Sequence, residues 1–423
     1  MKNILTIACL ALLMTNISKI RMKNIISILF LLFFCSIQIN AQILNTNTLH
    51  KDTTLYSQRS AKSNDGTAWE LFGDKYFYGN GVVKDYNKAK EWYTKAANNG
   101  NTNAQYKLGS MYYTGAGVIK DLFTAKEWFS KAAKQHNPHA QYALGWMYEN
   151  GELVEKNDSI AYNWYFKSAL QNYVNAQYKI GEFYYLGKFV HADYKKAYQW
   201  YKKAAHQGDT FAQYEIGKMY EEGKGVEKSN KVALDWYTLS ANNGNSYAQY
   251  HIGTIYRDGI GIEKSTQLAV GWLTRSAQNG NRMAQNDLGL LYLNGNGVQK
   301  NYEIAYKWLL MAAQQDLPNA QCSIGLMYEL GKWVTKDFHK AYYWYKKSAD
   351  QGYAPAQYNL GLMYYLGEGI PKNFNQAASL FEQAAKSGYK DAQYNLGVMY
   401  QNGNGVDKNP LKAKYWINQS KQK

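Results

Sequence analysis

Few residues of this sequence stand at spacings that could do chemistry. Gly115-Ala116-Gly117-Val118-Ile119-Lys120 opens like a loop that cradles a dinucleotide, but it lacks a third glycine and a preceding strand. Gly187-Lys188 and Gly331-Lys332 are followed by Phe189 and Trp333, where a phosphate loop needs a hydroxyl residue for magnesium. His136 and His139 could share one helix face as zinc ligands, yet Pro138 lies between them and no third ligand is evident. No serine occupies a nucleophile-elbow pattern. Cys9, Cys35 and Cys322 are too few for a disulfide framework or a four-cysteine zinc site. These residues predict no catalytic site, no cofactor and no metal.

What the sequence does contain is a repeat. From Ala68 to Ala392 an alanine recurs every 36 residues, without insertion or deletion. Glycine keeps the phases of Gly73 and Gly79, tyrosine that of Tyr76 and alanine that of Ala89, each in ten copies. Tryptophan holds its phase from Trp92 to Trp416 with Leu380 as the exception. This explains a skewed composition of 35 glycines, 40 tyrosines and only five prolines. Such self-similarity denotes stacked units, none of which can bury its apolar face alone.

One unit can be decoded physically. Ala104, Leu108, Met111 and Tyr112 fall at helical spacing, and Gly115 supplies the positive φ that ends the helix. Asp121 then opens a second helix whose apolar face is Ala125, Trp128, Phe129 and Ala132. The phase of Asp121 is Asp, Asn or Ser in every copy, all good N-cap residues. The glycine inside the first helix costs ~1 kcal/mol against alanine. With the small alanine of the second helix it is expected to admit close backbone approach, the tryptophan and tyrosine filling the layer between pairs.

The run Ala104-Gln105-Tyr106-Lys107-Leu108-Gly109, Met111-Tyr112, Gly115-Ala116-Gly117-Val118, Asp121, Ala125 and Trp128-Phe129 resembles the Sel1-like repeat. The resemblance covers about residues 66–421, and the 34-residue tetratricopeptide period fits less well. It implies an all-α solenoid of ten helix-loop-helix units in a right-handed superhelix, acting as an adaptor that scaffolds protein complexes. Some secreted, cysteine-rich relatives have been associated with β-lactam binding or hydrolysis. They carry paired cysteines in each unit, which this sequence lacks.

The positions that vary between copies are the ones a common scaffold does not dictate. On the first helix they form a stripe three, four and seven residues apart, expected to line the concave side. It comprises Lys107 and Ser110, Trp146, Phe211 with Glu215 and Lys218, Tyr247 with His251, and Asp287. This mixture suits a protein or peptide partner. The alternative is an envelope enzyme or ligand binder for cell-wall, β-lactam or carbohydrate material, which a groove of aromatics with facing acidic pairs would favour.

The formal charge of +16 invites a nucleic-acid reading. Nine lysines from Lys84 to Lys408 each precede an N-cap, forming an edge ladder that reads first as a solvated feature of the motif. An electrostatic binder of acidic polymer or headgroups is the third class. At the N-terminus Met22-Lys23-Asn24 precedes an apolar run and then Ala41, the order of a signal peptide. Residues 1–41 are thus a targeting region with Met22 as true start, 42–64 a flexible tether, and 65–423 the repeats. Cleavage after Ala41 removes four basic residues and no acid. An uncleaved anchor and a lipidated Cys35 remain open. The expected protein is exported, periplasmic or extracellular, monomeric, with no membrane span in its mature chain and no nucleic-acid partner. Trp69-Glu70 and Ser420-Lys421 replace the usual repeat residues, as polar caps of an open stack would.

Overall fold

The computed structural model describes residues 65–422 of the chain, so the expected targeting region and tether lie outside the described residues. Among the described residues are twenty α-helices and no strand. They form ten helix pairs in two compact units, the first ending at Gln171 and the second starting at Asn172. Unit 1 holds three pairs and unit 2 holds seven. Within each unit every helix packs on the next in sequence, the arrangement of an all-α solenoid.

The second pair shows why these residues form these elements. Its first helix, Thr102–Thr114, is capped by Asn101, whose side chain accepts the Ala104 amide. It stops at Gly115, with φ 78°, whose amide donates to the Met111 carbonyl. Its second helix, Leu122–Lys134, begins where the Asp121 carboxylate accepts the Phe123 and Thr124 amides. All ten second-helix caps make such a bond, each contributing about 1 kcal/mol. The left-handed turn positions persist even where glycine is lost. All six non-glycine residues with positive φ (His136, Leu153, Asn172, Phe189, Asp316 and Trp333) occupy the phases of Gly81 or Gly100.

The mid-helix glycine has a more specific cause than backbone approach. A Cβ on Gly109 would stand 2.8 Å from the Phe129 ring and 3.2 Å from the Ala125 carbonyl oxygen. The deepest layer therefore belongs to the residue after the tryptophan: Tyr93, Phe129 and Tyr165 in unit 1, Tyr201 and Tyr237 in unit 2, all at most 2% exposed. The tryptophans themselves are half-buried, and several carry a cation three residues on. Lys131 Nζ lies 4.3 Å from the Trp128 ring centre and Lys203 Nζ 4.0 Å from that of Trp200.

Within each unit a buried glutamine ladder ties neighbouring pairs together. Gln105 Nε2 donates to the Ala97 carbonyl, and its Oε1 accepts from Gln135 Nε2 at 3.1 Å. The same two bonds recur at Gln141, Gln213, Gln249, Gln285 and Gln321. Buried amides so satisfied avoid a desolvation penalty of about 1–3 kcal/mol each. At the first pair the expected polar cap is not what the side chains do. Trp69 and Glu70 are both buried, because Glu70 faces pair 2 and binds Asn101 and Lys107.

Candidate partner-binding face

The variable stripe of the first helices is a set of bridges between neighbouring pairs. In unit 1, Lys107 Nζ lies 2.6 Å from Glu70 Oε1 and 2.7 Å from both Asp74 carboxylate oxygens. Burial pulls the Lys107 ammonium down, but Asp74 and Glu70 outweigh it and hold its pKa above the ordinary lysine value. Tyr93 donates to the same Asp74 at 2.7 Å. Lys107 is thereby committed to the fold.

Ser110 and Trp146 meet at a pocket of about 310 Å³ between the first helices of pairs 2 and 3, Thr102–Thr114 and Pro138–Asn150. Its rings are Tyr106, Tyr113, Phe129, Tyr142 and Trp146, with Ser110, Thr114 and Ala143 completing the wall. The Ser110 and Thr114 hydroxyls both donate to carbonyls of their own helix. Tyr113 donates to Glu152 Oε2 at 2.6 Å and is hydrogen-bonded by Trp146. Burial first and Glu152 second push the Tyr113 phenol up to about 12. His139 stacks on Tyr106 at 5.3 Å, and burial with Lys107 nearby holds its imidazole below the usual histidine value.

In unit 2 the ionisable members of the stripe are all partnered, Lys218 and Glu215 with each other and His251 and Asp287 with residues outside the stripe. Lys218 Nζ binds Glu215 Oε2 at 3.0 Å on the same helix, Thr210–Glu222. His251 Nε2 stands 2.9 Å from Glu221 Oε2, which also accepts the Tyr237 hydroxyl at 2.6 Å. The His251 contact, opposing burial, keeps the Glu221 carboxyl below its ordinary value. Asp287 accepts from Arg257 Nη1 at 2.8 Å and from Tyr250 at 3.1 Å. Phe211 and Tyr247 remain 52% and 57% exposed, their edges resting on Tyr178 and Tyr214 of the preceding pairs. Met283 continues this row one pair later.

Apart from Lys218–Glu215, the stripe holds one side of each contact and lacks the other: Glu70, Asp74, Glu221, Arg257 and Tyr250, with Tyr106 and Tyr113 in the pocket. The signal was available as a second spacing, because residues 37 or 30 apart meet across neighbouring pairs. Cys322 is buried in the core, its thiol pushed up to about 12 by burial. The nine ladder lysines are exposed, several stacking on a ring two residues on, as Lys84 does over Tyr86. No group of three or more His, Cys, Asp or Glu suited to a metal occurs among the described residues, and none of their helices could cross a membrane.

Helix pairs at a constant 36-residue period, stacked through a shared aromatic layer, define an α-solenoid repeat protein. The Sel1 repeat matches ten consecutive stretches, 69–101, 102–137, 138–173, 174–209, 210–245, 246–281, 282–317, 318–353, 354–389 and 390–422. The chain therefore belongs to the Sel1-repeat family. It is similar to c5321, a protective antigen of uropathogenic Escherichia coli with this fold, at 34% identity over 87% of this chain and 79% of that one, with a TM-score of 0.65. A Sel1 repeat protein from Oxalobacter formigenes is similar at 33% identity, over 70% of this chain and 86% of that one, with a TM-score of 0.53. No curated protein matches the chain.

Proposed function

We propose that this chain is an exported, monomeric, non-enzymatic scaffold that holds a protein or peptide partner on its first-helix face. The Sel1-repeat solenoid is a fold typical of protein–protein interaction scaffolds. The observation that carries the reading is the exposed row Phe211, Tyr247 and Met283, beside charged groups already paired to one another. Large rigid apolar anchors within a satisfied polar surround are the composition of binding hot spots. The array presents them without an ordering cost at binding. Export rests on the signal-like order ending at Ala41, and the similarity to a protective antigen is in keeping with it.

A photo-cross-linker in place of Tyr247 or Phe211 tests this, with Lys231 on the second helix of the same repeat as control. Cross-links to one partner from the first-helix positions alone are expected. Equal yield from Lys231 would sink the reading. So would undiminished partner capture after joint substitution of Trp146, Phe211, Lys218 and Tyr247.

A second reading, a carbohydrate binder, draws on the aromatic pocket of unit 1. It ranks lower because Ser110 and Thr114 are committed to their own helix and Glu70 with Asp74 to Lys107. A sugar would find few free polar partners there.

A further inference from the structure

The turn between the two helices of repeat 8 carries a large side chain that the fold does not use. In seven repeats the phase of Gly81 is glycine, each time at positive φ. The packing asks for it: a Cβ on Gly297 or Gly369 would collide with Thr266 or Phe338, the first residues of the preceding second helices. Repeat 8 has Trp333 in this place, at φ 67° and 55% exposed. A bulky side chain at positive φ is an outlier that costs stability. Among the described residues its indole makes no hydrogen bond and no ring contact in return, and more than half of it faces water.

Charge sets this turn apart from the others of its kind. Leu153 and Phe189 take the same position in repeats 3 and 4. Leu153 has Glu152 and Glu155 beside it, however, and in repeat 4 the ladder lysine is replaced by Ala192. Around Trp333 the bias is basic. Lys300 Nζ lies 5.6 Å and Lys332 Nζ 5.8 Å from the centre of one ring, Tyr302, at the head of the preceding second helix. Lys336 Nζ stands 4.5 Å over the Phe338 ring, and Lys372 follows at the same turn position one repeat later. None of these four ammonium groups has a carboxylate partner among the described residues. The turns 295–301, 331–337 and 367–373 contain two carboxylates, Asp337 and Glu368. Asp337 is committed to the Lys340 amide at 3.0 Å and to Lys340 Nζ at 3.5 Å. Glu303, just beyond the first of these turns, binds Lys307 at 2.7 Å.

We propose that this turn seats on an anionic lipid surface, with Trp333 at the boundary of headgroups and acyl chains and Lys300, Lys332, Lys336 and Lys372 on the headgroups. The site lies on the turns, not on the first-helix stripe, so it stands or falls apart from the partner-binding reading. An indole is apolar over its rings and polar at its N–H, which suits that boundary. Each lysine held near an anionic leaflet strengthens attachment roughly fivefold. Attachment scales with buried apolar area plus electrostatic attraction, and this turn offers both. A soluble polyanion would use the lysines alone and would give no reason for the strained indole.

The test titrates the full chain with vesicles of phosphatidylglycerol mixed with phosphatidylcholine, and of phosphatidylcholine alone. Any contribution of residues 1–41 is common to all variants, so the readout is the difference between them. Trp333→Gly should weaken binding to the mixed vesicles about tenfold, the loss of one buried large apolar side chain. Lys300→Gln, Lys332→Gln and Lys336→Gln together should weaken it about a hundredfold, and added salt should do the same to the wild type. Brominated acyl chains should quench an increment of tryptophan fluorescence that Trp333→Gly lacks. Tyr247→Ala should bind vesicles as the wild type does. The melting temperature of Trp333→Gly should match or exceed that of the wild type.

Unchanged vesicle binding by Trp333→Gly or by the lysine variant overturns the proposal. A clearly lower melting temperature of Trp333→Gly also overturns it, because the indole would then serve the fold. Retention of inorganic polyphosphate that needs the lysines, with Trp333→Gly like the wild type on vesicles, would reassign the turn to a soluble polyanion. Self-association that Trp333→Gly abolishes, without vesicle binding, would assign it to a second copy of the chain.

Discussion

Repeats 2–3 of unit 1 and repeats 5–7 of unit 2 are built from one scaffold and finish their first-helix faces differently. In repeats 5–7 the polar positions close on one another. His251 takes Glu221, Lys218 takes Glu215, and Arg257 takes Asp287, leaving Phe211 and Tyr247 standing proud. In repeats 2–3 Ala143 offers no such closure, and the aromatic groups line a recess instead of a ridge. A recess of about 210 Å³ at the corresponding positions of repeats 9 and 10 has Asn395 in its wall, so such a hollow forms with or without a bridging side chain there. The lesson is that one scaffold finishes its first-helix face as a closed charged surface or as a recess according to the side chains that vary between copies.

If that account holds, damage to the shared scaffold must cost about the same in both places. Phe129→Ala and Tyr237→Ala each remove a fully buried ring, and about 3–5 kcal/mol is expected for either. Chemical denaturation followed by hydrogen exchange in each unit measures this. A loss several-fold smaller at Phe129 would mean that the pocket relaxes and that its walls are not preorganised.

The next largest effect separates a bridge from a vacancy. Lys107→Met leaves the Glu70 and Asp74 carboxylates facing each other without their cation, half-shielded from water. A fully buried pair broken this way costs about 3–5 kcal/mol; solvent screening reduces the expectation to about 1–2 kcal/mol here. Ala143→Asn, at the same repeat position, offers a carboxamide to the Tyr106 hydroxyl as Asn395 does to Tyr358, and should instead be neutral or stabilising. Two changes of the same sign would break the claim that this position is a bridge.

Acid distinguishes the regions more gently. Folding keeps His139 neutral to lower pH than the 6.5 of a free histidine, through burial first and Lys107 second. The unfolded chain therefore binds the extra proton, and stability present above about pH 6.5 falls as the pH drops toward the depressed folded value. Glu221, with its pKa lowered by His251, holds stability present above the unfolded carboxyl value near 4.3 and loses it only below that. Unit 1 should weaken as the pH falls below about 6.5 through His139, an effect absent in His139→Gln and reduced in Lys107→Met. Proton NMR titration of the His139 ring reads it directly.

The helix pairs, the N-caps and the turn glycines were legible because each follows from local chemistry repeated ten times, as at Asp121 and Gly115. The stripe was legible as a set of variable positions, since residues three and four apart share a helix face. What one helix face cannot reveal is which neighbour each residue touches. Lys107 reads as a free contact until Glu70 and Asp74 are seen across the interface. The burial of Trp69 and Glu70 was missed for the same reason. Phe129 was placed on the apolar face, but its rank below Trp128 depends on the glycine opposite, which spacing along one helix does not disclose.

The smallest expected effect concerns the feature on which the two regions agree, the glutamine ladder. Its Oε1 accepts from a side-chain amide 30 residues later, Gln135 for Gln105 and Gln351 for Gln321. At Gln357 that position is Ser387, which donates to the Gln383 carbonyl of its own helix, and Gln357 Oε1 is buried without a partner. Ser387→Gln should restore the bond and stabilise the last two repeats by about 0.5–1 kcal/mol. Hydrogen exchange there is the appropriate measure, because arrays of repeats open locally and a single melting temperature would dilute the gain. Slower exchange confined to repeats 9 and 10 would mean the ladder is a stabilising element throughout. An unchanged rate would mean that these amides only avoid a penalty, and that Gln105 and Gln321 contribute nothing to the difference between the two faces.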